Sequence, residues 1–121
     1  MVKRIILTLS TILYALLLTY CSLSNLNNST QFEFEHMDKL IHYLIYFIFS
    51  LLVYNTLKVF NLNKALIITI LLTFSFGVII EICQLILKTY RNFELLDIFS
   101  NTLGILTFSL INKFKKTLLK N

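Results

Sequence analysis

The stretch Ala65–Leu87, ALIITILLTFSFGVIIEICQLIL, decides the fold, because Glu81 is the only charged residue in it. A helix needs roughly 20 apolar residues to cross the hydrocarbon core of a bilayer, and this run supplies them without interruption. A carboxylate inside such a helix costs about 2.5–3.5 kcal/mol on insertion scales, so its presence asks for something that compensates it. Gln84 follows Glu81 at i+3 and Lys88 at i+7, and Arg91 lies just past the run.

Outward from this run the same composition holds. The chain has 121 residues, 57% of them hydrophobic and 14% charged, with a mean hydropathy of +0.78. Soluble domains carry about 25% charged residues, so this is the composition of a membrane protein. Three further apolar segments run from Ile5 to about Leu23, from about Leu40 to Leu57, and from about Leu95 to Ile111. The last is the shortest, and it holds Asp97 and Asn101 in its first two turns. The expected fold is therefore all-α: one membrane domain over residues 1–121, built as a bundle of four transmembrane helices.

A basic start followed by an apolar stretch also describes a signal peptide. Here the run is long, and no small-x-small cleavage site follows it. Leu18-Thr19-Tyr20-Cys21 resembles a lipoprotein cleavage box, but bulky Tyr20 stands where a small residue is expected. The first segment reads as a retained helix. Cys21 and Cys83 lie in or at the end of apolar segments with no Cys-x-x-Cys spacing, which points to neither a disulfide framework nor a zinc site.

The net charge of +5 does not indicate nucleic acid, since the basic residues cluster in short loops beside apolar segments. Lys3, Arg4, Lys58, Lys64, Lys113, Lys115, Lys116 and Lys120 fall on one side of the expected bundle, and Lys39, Lys88 and Arg91 on the other. The positive-inside rule then puts both termini and the loop between the second and third helices in the cytoplasm. The six acidic residues, Glu33, Glu35, Asp38, Glu81, Glu94 and Asp97, all fall in outer loops or outer halves of spans. The C-terminal lysines read as a solvated end beside anionic headgroups, and Tyr20, Tyr43 and Tyr90 as interfacial anchors.

Helical spacing orders the polar residues into stripes. Gly77, Glu81, Gln84 and Lys88 share one face of the third helix, and Asp97, Asn101 and Gly104 one face of the fourth. Asp38, His42 and Tyr46 follow at i+4 steps on the second. Lipid cannot solvate such stripes, so the economical packing turns them toward one another and forms a polar pocket open to the outside. Arg91 is the expected partner of Glu81 or Asp97, because a planar bidentate donor suits a carboxylate. His42 reads as a packed or proton-sharing histidine rather than a metal ligand. The only other histidine, His36, lies at i−6 and off its face. No cofactor and no metal are expected.

These residues also carry a resemblance. Asp38-Lys39-x-x-His42-x-x-x-Tyr46 is similar to the opening motif of the VanZ-like family of small integral membrane proteins. Glu81-x-x-Gln84, then Arg91, then Asp97-x-x-x-Asn101-x-x-Gly104 resembles that family's second block. The likeness covers about Asp38 to Gly104 and fits the four-span layout of short members. Two positions depart from it: Thr89-Tyr90 stands where members often have a Pro-Gly turn, and Phe108 where a further glycine is common. The family takes its name from a protein linked to resistance to the glycopeptide teicoplanin. The resemblance implies a bacterial cell-envelope protein and does not by itself carry resistance over to this chain.

Three functional classes follow from the residues. The first is binding: an Arg and carboxylate pocket that takes an anionic lipid headgroup, a lipid-linked wall precursor or a glycopeptide. The second is a membrane hydrolase or transferase with Glu81 as general base, its pKa raised by burial. No serine, cysteine or metal constellation supports it. The third is a subunit of a transporter or larger complex, which four spans without a Pro-broken helix would enter only by forming a homo-oligomer or joining a partner. The plainest alternative to all three is a structural network of Glu81, Arg91 and Asp97 that fixes helix register.

Overall fold

The computed structural model describes residues 1–24, 35–87 and 94–119. Over these the chain forms four helices: α1 (Val2–Leu23), α2 (Glu35–Val59), α3 (Ala65–Leu87) and α4 (Leu95–Leu118). All four are long and apolar enough to cross a membrane. Among the described residues there is no strand. The chain contains no proline and only two glycines, so nothing in a helix interior removes a backbone hydrogen bond.

The third helix has the bounds that its apolar run predicts, and the others run past theirs. α2 begins five residues before Leu40 and takes in Asp38 and Lys39. α4 continues beyond Ile111 through Lys113, Lys115 and Lys116 to Leu118. The physical reason is that hydropathy marks the part of a helix that sits in lipid, whereas lysine is itself a good helix former. The lysines also lie in the last turns of α4, where the helix dipole favours cations. What was read as the shortest span is thus as long as its neighbours.

Residues 60–64 join α2 to α3 in a tight reversal. Asn61 adopts a left-handed φ of 56°, its N–H donates to the Lys58 carbonyl at 3.0 Å, and the Leu62 N–H donates to the Leu57 carbonyl at 3.2 Å. This pair of bonds is a Schellman cap, with asparagine in the place that glycine usually fills. Lys64 is also left-handed, at φ 64°, just before α3 begins.

Cross-helix contacts give an up-down-up-down bundle. The Arg4 side chain donates to the Val59 carbonyl at 3.0 Å, and Thr11 and Thr56 share a hydroxyl bond of 2.8 Å, so α1 and α2 are antiparallel. Ser50 on α2 meets Thr73 on α3 at 3.4 Å, and Gly77 faces the ring of Tyr46, which makes that pair antiparallel too. α2 and α4 run parallel and pack the most extensively, while α1 and α4 do not touch. α2 and α3 are therefore the inner pair, with α1 in one groove and α4 in the other.

The core lies along this inner pair: Tyr46, Phe49 and Val53 of α2, Ile80 of α3, Ile105 of α4 and Leu18 of α1. Toward the other end Tyr54, Ala65 and Phe108 form a second cluster. Phe108, which occupies the position of the further family glycine, packs edge-on against Phe47 and Tyr54, with centroids 6.1 and 5.7 Å away. An aromatic cluster thus holds α4 to α2 where a glycine would allow closer backbones. On the outside the helices are covered by exposed Leu, Ile and Phe, most of all along α1. A helix apolar on both its buried and its exposed faces is solvated by lipid.

Candidate functional site

One residue brings the start of α4 against α2. A Cβ built on Gly104 would run into the backbone of α2, at the Tyr43 carbonyl and at the Phe47 nitrogen 3.0 Å away. Small residues permit such approach between membrane helices. Because the two helices are parallel, a constant offset pairs their residues one turn after another. Lys39 meets Asp97, His42 meets Asn101, and Tyr43 and Phe47 straddle Gly104.

The first of these pairs is a charge cluster. The Lys39 ammonium donates to Asp97 Oδ1 and to Glu94 Oε2, and lies 3.4 Å from Asp38 Oδ2. Asp97 is buried, whereas the side chains of Asp38 and Glu94 are 32% and 50% exposed. Asp97 sits in the first turn of α4, where the helix dipole favours a carboxylate. Burial would penalise this carboxylate heavily if it stood alone, and the lysine and the dipole together offset that cost.

His42 completes the cluster from within. Its Nδ1 lies 3.1 Å from Asn101 Oδ1, and both residues are buried. Its other ring nitrogen, Nε2, lies 3.4 Å from Asp97 Oδ2 and 3.9 Å from Asp38 Oδ1. Each aspartate therefore turns one oxygen to Lys39 and the other to His42.

A second polar group lies between α2, α3 and α1. Glu81 and Gln84 are almost fully buried, and the Gln84 amide donates to the Ser22 carbonyl at 3.0 Å. Ser22 is in the last turn of α1, where carbonyls have no partner within the helix, so Gln84 acts as a cap supplied by another helix. Tyr46 lies within electrostatic reach of Glu81, and its ring covers Gly77 with atoms 3.1–3.3 Å from where a Cβ would stand. Below it a stripe of Ala65, Thr69 and Thr73 continues the buried face of α3.

Nine of the ten residues expected to line a site are described, and they are distributed on two sides of α2. Asp38, Lys39, His42, Asp97, Asn101 and Gly104 come together at the α2–α4 seam, and Tyr46 and Glu81 lie toward α3, with Gln84 bonded to the end of α1. The α2 stripe divides because an i+4 step overshoots a full turn by about 40°, so Asp38 and Tyr46 point about 80° apart. Arg91 lies outside the described residues, as do Lys88, Tyr90, Glu33 and Lys120. The partner found for Asp97 is Lys39, a residue of the same opening motif. Glu94 and the Ser22 carbonyl were not among the expected site residues. Glu94 could have been found from its place three residues before Asp97, while a backbone carbonyl leaves no mark in the sequence.

The two ends of the bundle differ in charge. Among the described residues Arg4, Lys58, Lys64, Lys113, Lys115 and Lys116 gather at one end, where Arg4 stacks on Phe60 and Lys58 and Lys116 lie over Tyr54. Asp38, Glu81, Glu94 and Asp97 occupy the other end with Lys39.

No significant match to a curated protein or to a solved structure was found. The model of the VanZ/LLP1 family matches residues 4–116, which takes in all four helices, α1 included, and both polar groups. This chain, a multi-pass membrane protein, belongs to the VanZ/LLP1 family.

Proposed function

We propose that this protein binds the polar headgroup of an envelope molecule at the acidic end of its bundle, on the outer face of the bacterial cytoplasmic membrane. Both termini and the lysine-rich end then lie in the cytoplasm, as the positive-inside rule requires. The ligand class is a lipid headgroup, a lipid-linked wall precursor or a glycopeptide. All of these offer charged and amide groups to a site of fixed carboxylates, an ammonium and an amide. A protein that binds such a molecule would alter susceptibility to glycopeptides by competing for or masking their target.

The observation that carries this reading is the graded exposure of the Lys39 cluster. Asp97, His42 and Asn101 are buried and held by cross-helix bonds, while Asp38 and Glu94 of the same cluster open outward. A network that served only to fix helix register would gain nothing from placing two of its carboxylates at the surface. A preorganised inner layer with an open outer layer is what recognition of a polar group needs.

The test is a pair of strains, deleted for the protein or overexpressing it, screened against teicoplanin and other envelope-active compounds. Asp97→Asn and Lys39→Met variants are run alongside at matched membrane levels. The reading expects a change in susceptibility on overexpression that both variants abolish. Full retention of that change by either variant would remove the cluster from the function.

A further inference from the structure

We propose that the seam between the start of α1 and the end of α2 holds the phosphate headgroup of one anionic phospholipid. A cavity of about 530 Å³ opens there, lined by Lys3 and Leu7 of α1 and by Asn55, Lys58 and Val59 of α2. That volume falls within the range of about 300–1,000 Å³ usual for small-molecule sites. The two helices are antiparallel, so the basic start of one stands beside the basic end of the other. The bond from the Arg4 side chain to the Val59 carbonyl ties these ends together.

The lining is graded with depth. Lys3 and Lys58 are exposed, whereas Leu7, Asn55 and Val59 are half-buried. Leu7 lies about one turn below Lys3, and Asn55 about one turn below Lys58, so two ammoniums stand over an amide and aliphatic side chains. A phospholipid has the same order: a charged phosphodiester outside, ester carbonyls beneath it, then hydrocarbon. The Asn55 amide can donate to a phosphate oxygen or to an ester carbonyl, and the lysine stems pack on apolar surface while their heads reach the interface. Val2 and Ile6 of α1 and Leu51 of α2, each adjacent to a lining residue or one turn from it, are exposed and apolar. The cavity therefore opens where the protein meets the bilayer.

The charge at this end has no counterpart among the described residues. No ion pair among them involves Lys3 or Lys58, and the carboxylates of Asp38, Glu81, Glu94 and Asp97 belong to the other end of the bundle. Lys58 and Lys116 both lie 5.9 Å from the centre of the Tyr54 ring, so that ring already faces two ammoniums. Arg4, by contrast, is engaged by the Val59 carbonyl and the Phe60 ring. Basic pockets between membrane helices take anionic headgroups, whose phosphate receives the ammonium protons. A headgroup that carries its own ammonium gains less, because the lining offers two cations and no carboxylate. The site depends on the four spans and not on headgroup binding at the acidic end. In the orientation proposed above, its lipid belongs to the inner leaflet.

Purified full-length protein is delipidated in detergent, and native mass spectrometry counts the lipids retained from micelles doped with phosphatidylglycerol or with phosphatidylethanolamine. One phosphatidylglycerol per chain is expected, in clear preference to phosphatidylethanolamine. Its affinity should fall about 5-fold in Lys3→Gln or Lys58→Gln and about 30-fold in the double variant. Lys113→Gln with Lys115→Gln removes the same charge from the same end, but neither residue lines the cavity, and affinity should be unchanged. Equal losses in the two double variants would reduce the effect to general surface charge and overturn the proposal. Equal retention of the two lipids by the wild type would overturn it as well, and that comparison decides if the Lys3 and Lys58 variants do not fold. Glycerol phosphate, which has the anion without the hydrocarbon, should bind far more weakly. An affinity equal to that of the lipid would overturn the assignment to a lipid.

Discussion

Gly104→Ala is the substitution on which the α2–α4 seam depends. The added methyl would overlap the Tyr43 carbonyl and crowd the Tyr43 carbonyl carbon at 3.1 Å and the Phe47 nitrogen at 3.0 Å. These are backbone atoms of a second helix and cannot rotate away, so α2 and α4 must separate. Overpacking costs about 1–3 kcal/mol, and a clash with backbone belongs at the upper end of that range. Alanine regains about 1 kcal/mol of helix propensity over glycine, which leaves a net loss of about 2 kcal/mol. That is a drop of roughly 30-fold in the ratio of folded to unfolded protein. Gly77→Ala is the internal control. There the methyl would meet the far end of the Tyr46 ring, which can tilt, so the propensity gain offsets most of the strain. Unfolding by denaturing detergent, followed by circular dichroism, should shift clearly for Gly104→Ala and little for Gly77→Ala. Equal stability of Gly104→Ala and wild type would refute the close seam and the register that aligns Lys39 with Asp97.

Lys39→Met leaves the buried Asp97 carboxylate without the ammonium that faces it, and is expected to destabilise by about 3 kcal/mol. Adding Asp97→Asn should recover much of that loss in the same unfolding assay, and strictly additive effects would show that the pair is not coupled. Glu81→Gln keeps shape and removes charge at a position that is 1% exposed. It should preserve both membrane level and drug phenotype, and a lost phenotype with an intact fold would instead assign Glu81 to proton-transfer chemistry. Lys64→Gly relieves a left-handed non-glycine residue before α3 and should raise stability by up to about 1 kcal/mol.

The sequence made the helices legible because each span is a long apolar run, and it made the polar faces legible because their residues recur at helical spacing. α3 shows this best, since its bounds follow from its apolar run and Gly77, Glu81 and Gln84 of the expected stripe are buried. Thr69 and Thr73, which continue that face, were not read from the sequence, and Lys88 lies outside the described residues. Pairing between helices was harder to read. Lys39 meets Asp97 because two parallel helices are set in register by Gly104, while the expected pairing of Arg91 with Glu81 or Asp97 lies outside the described residues. Periodicity describes one helix at a time and contains no information on that register. The contact of His42 with Asp97 depends on the same register, since one residue belongs to α2 and the other to α4. The charged extensions of α2 and α4 were missed for a simpler reason, since hydropathy reports the membrane and not the end of a helix.

The central claim is that the Lys39 cluster faces the outside of the cell. Asp38→Cys, in a chain whose Cys21 and Cys83 are replaced by serine, places a thiol at the exposed edge of that cluster. Intact cells are treated with a membrane-impermeant maleimide, and the protein is isolated and its labelling measured. The account predicts labelling in intact cells that permeabilisation does not increase. Labelling that occurs only after permeabilisation would contradict it.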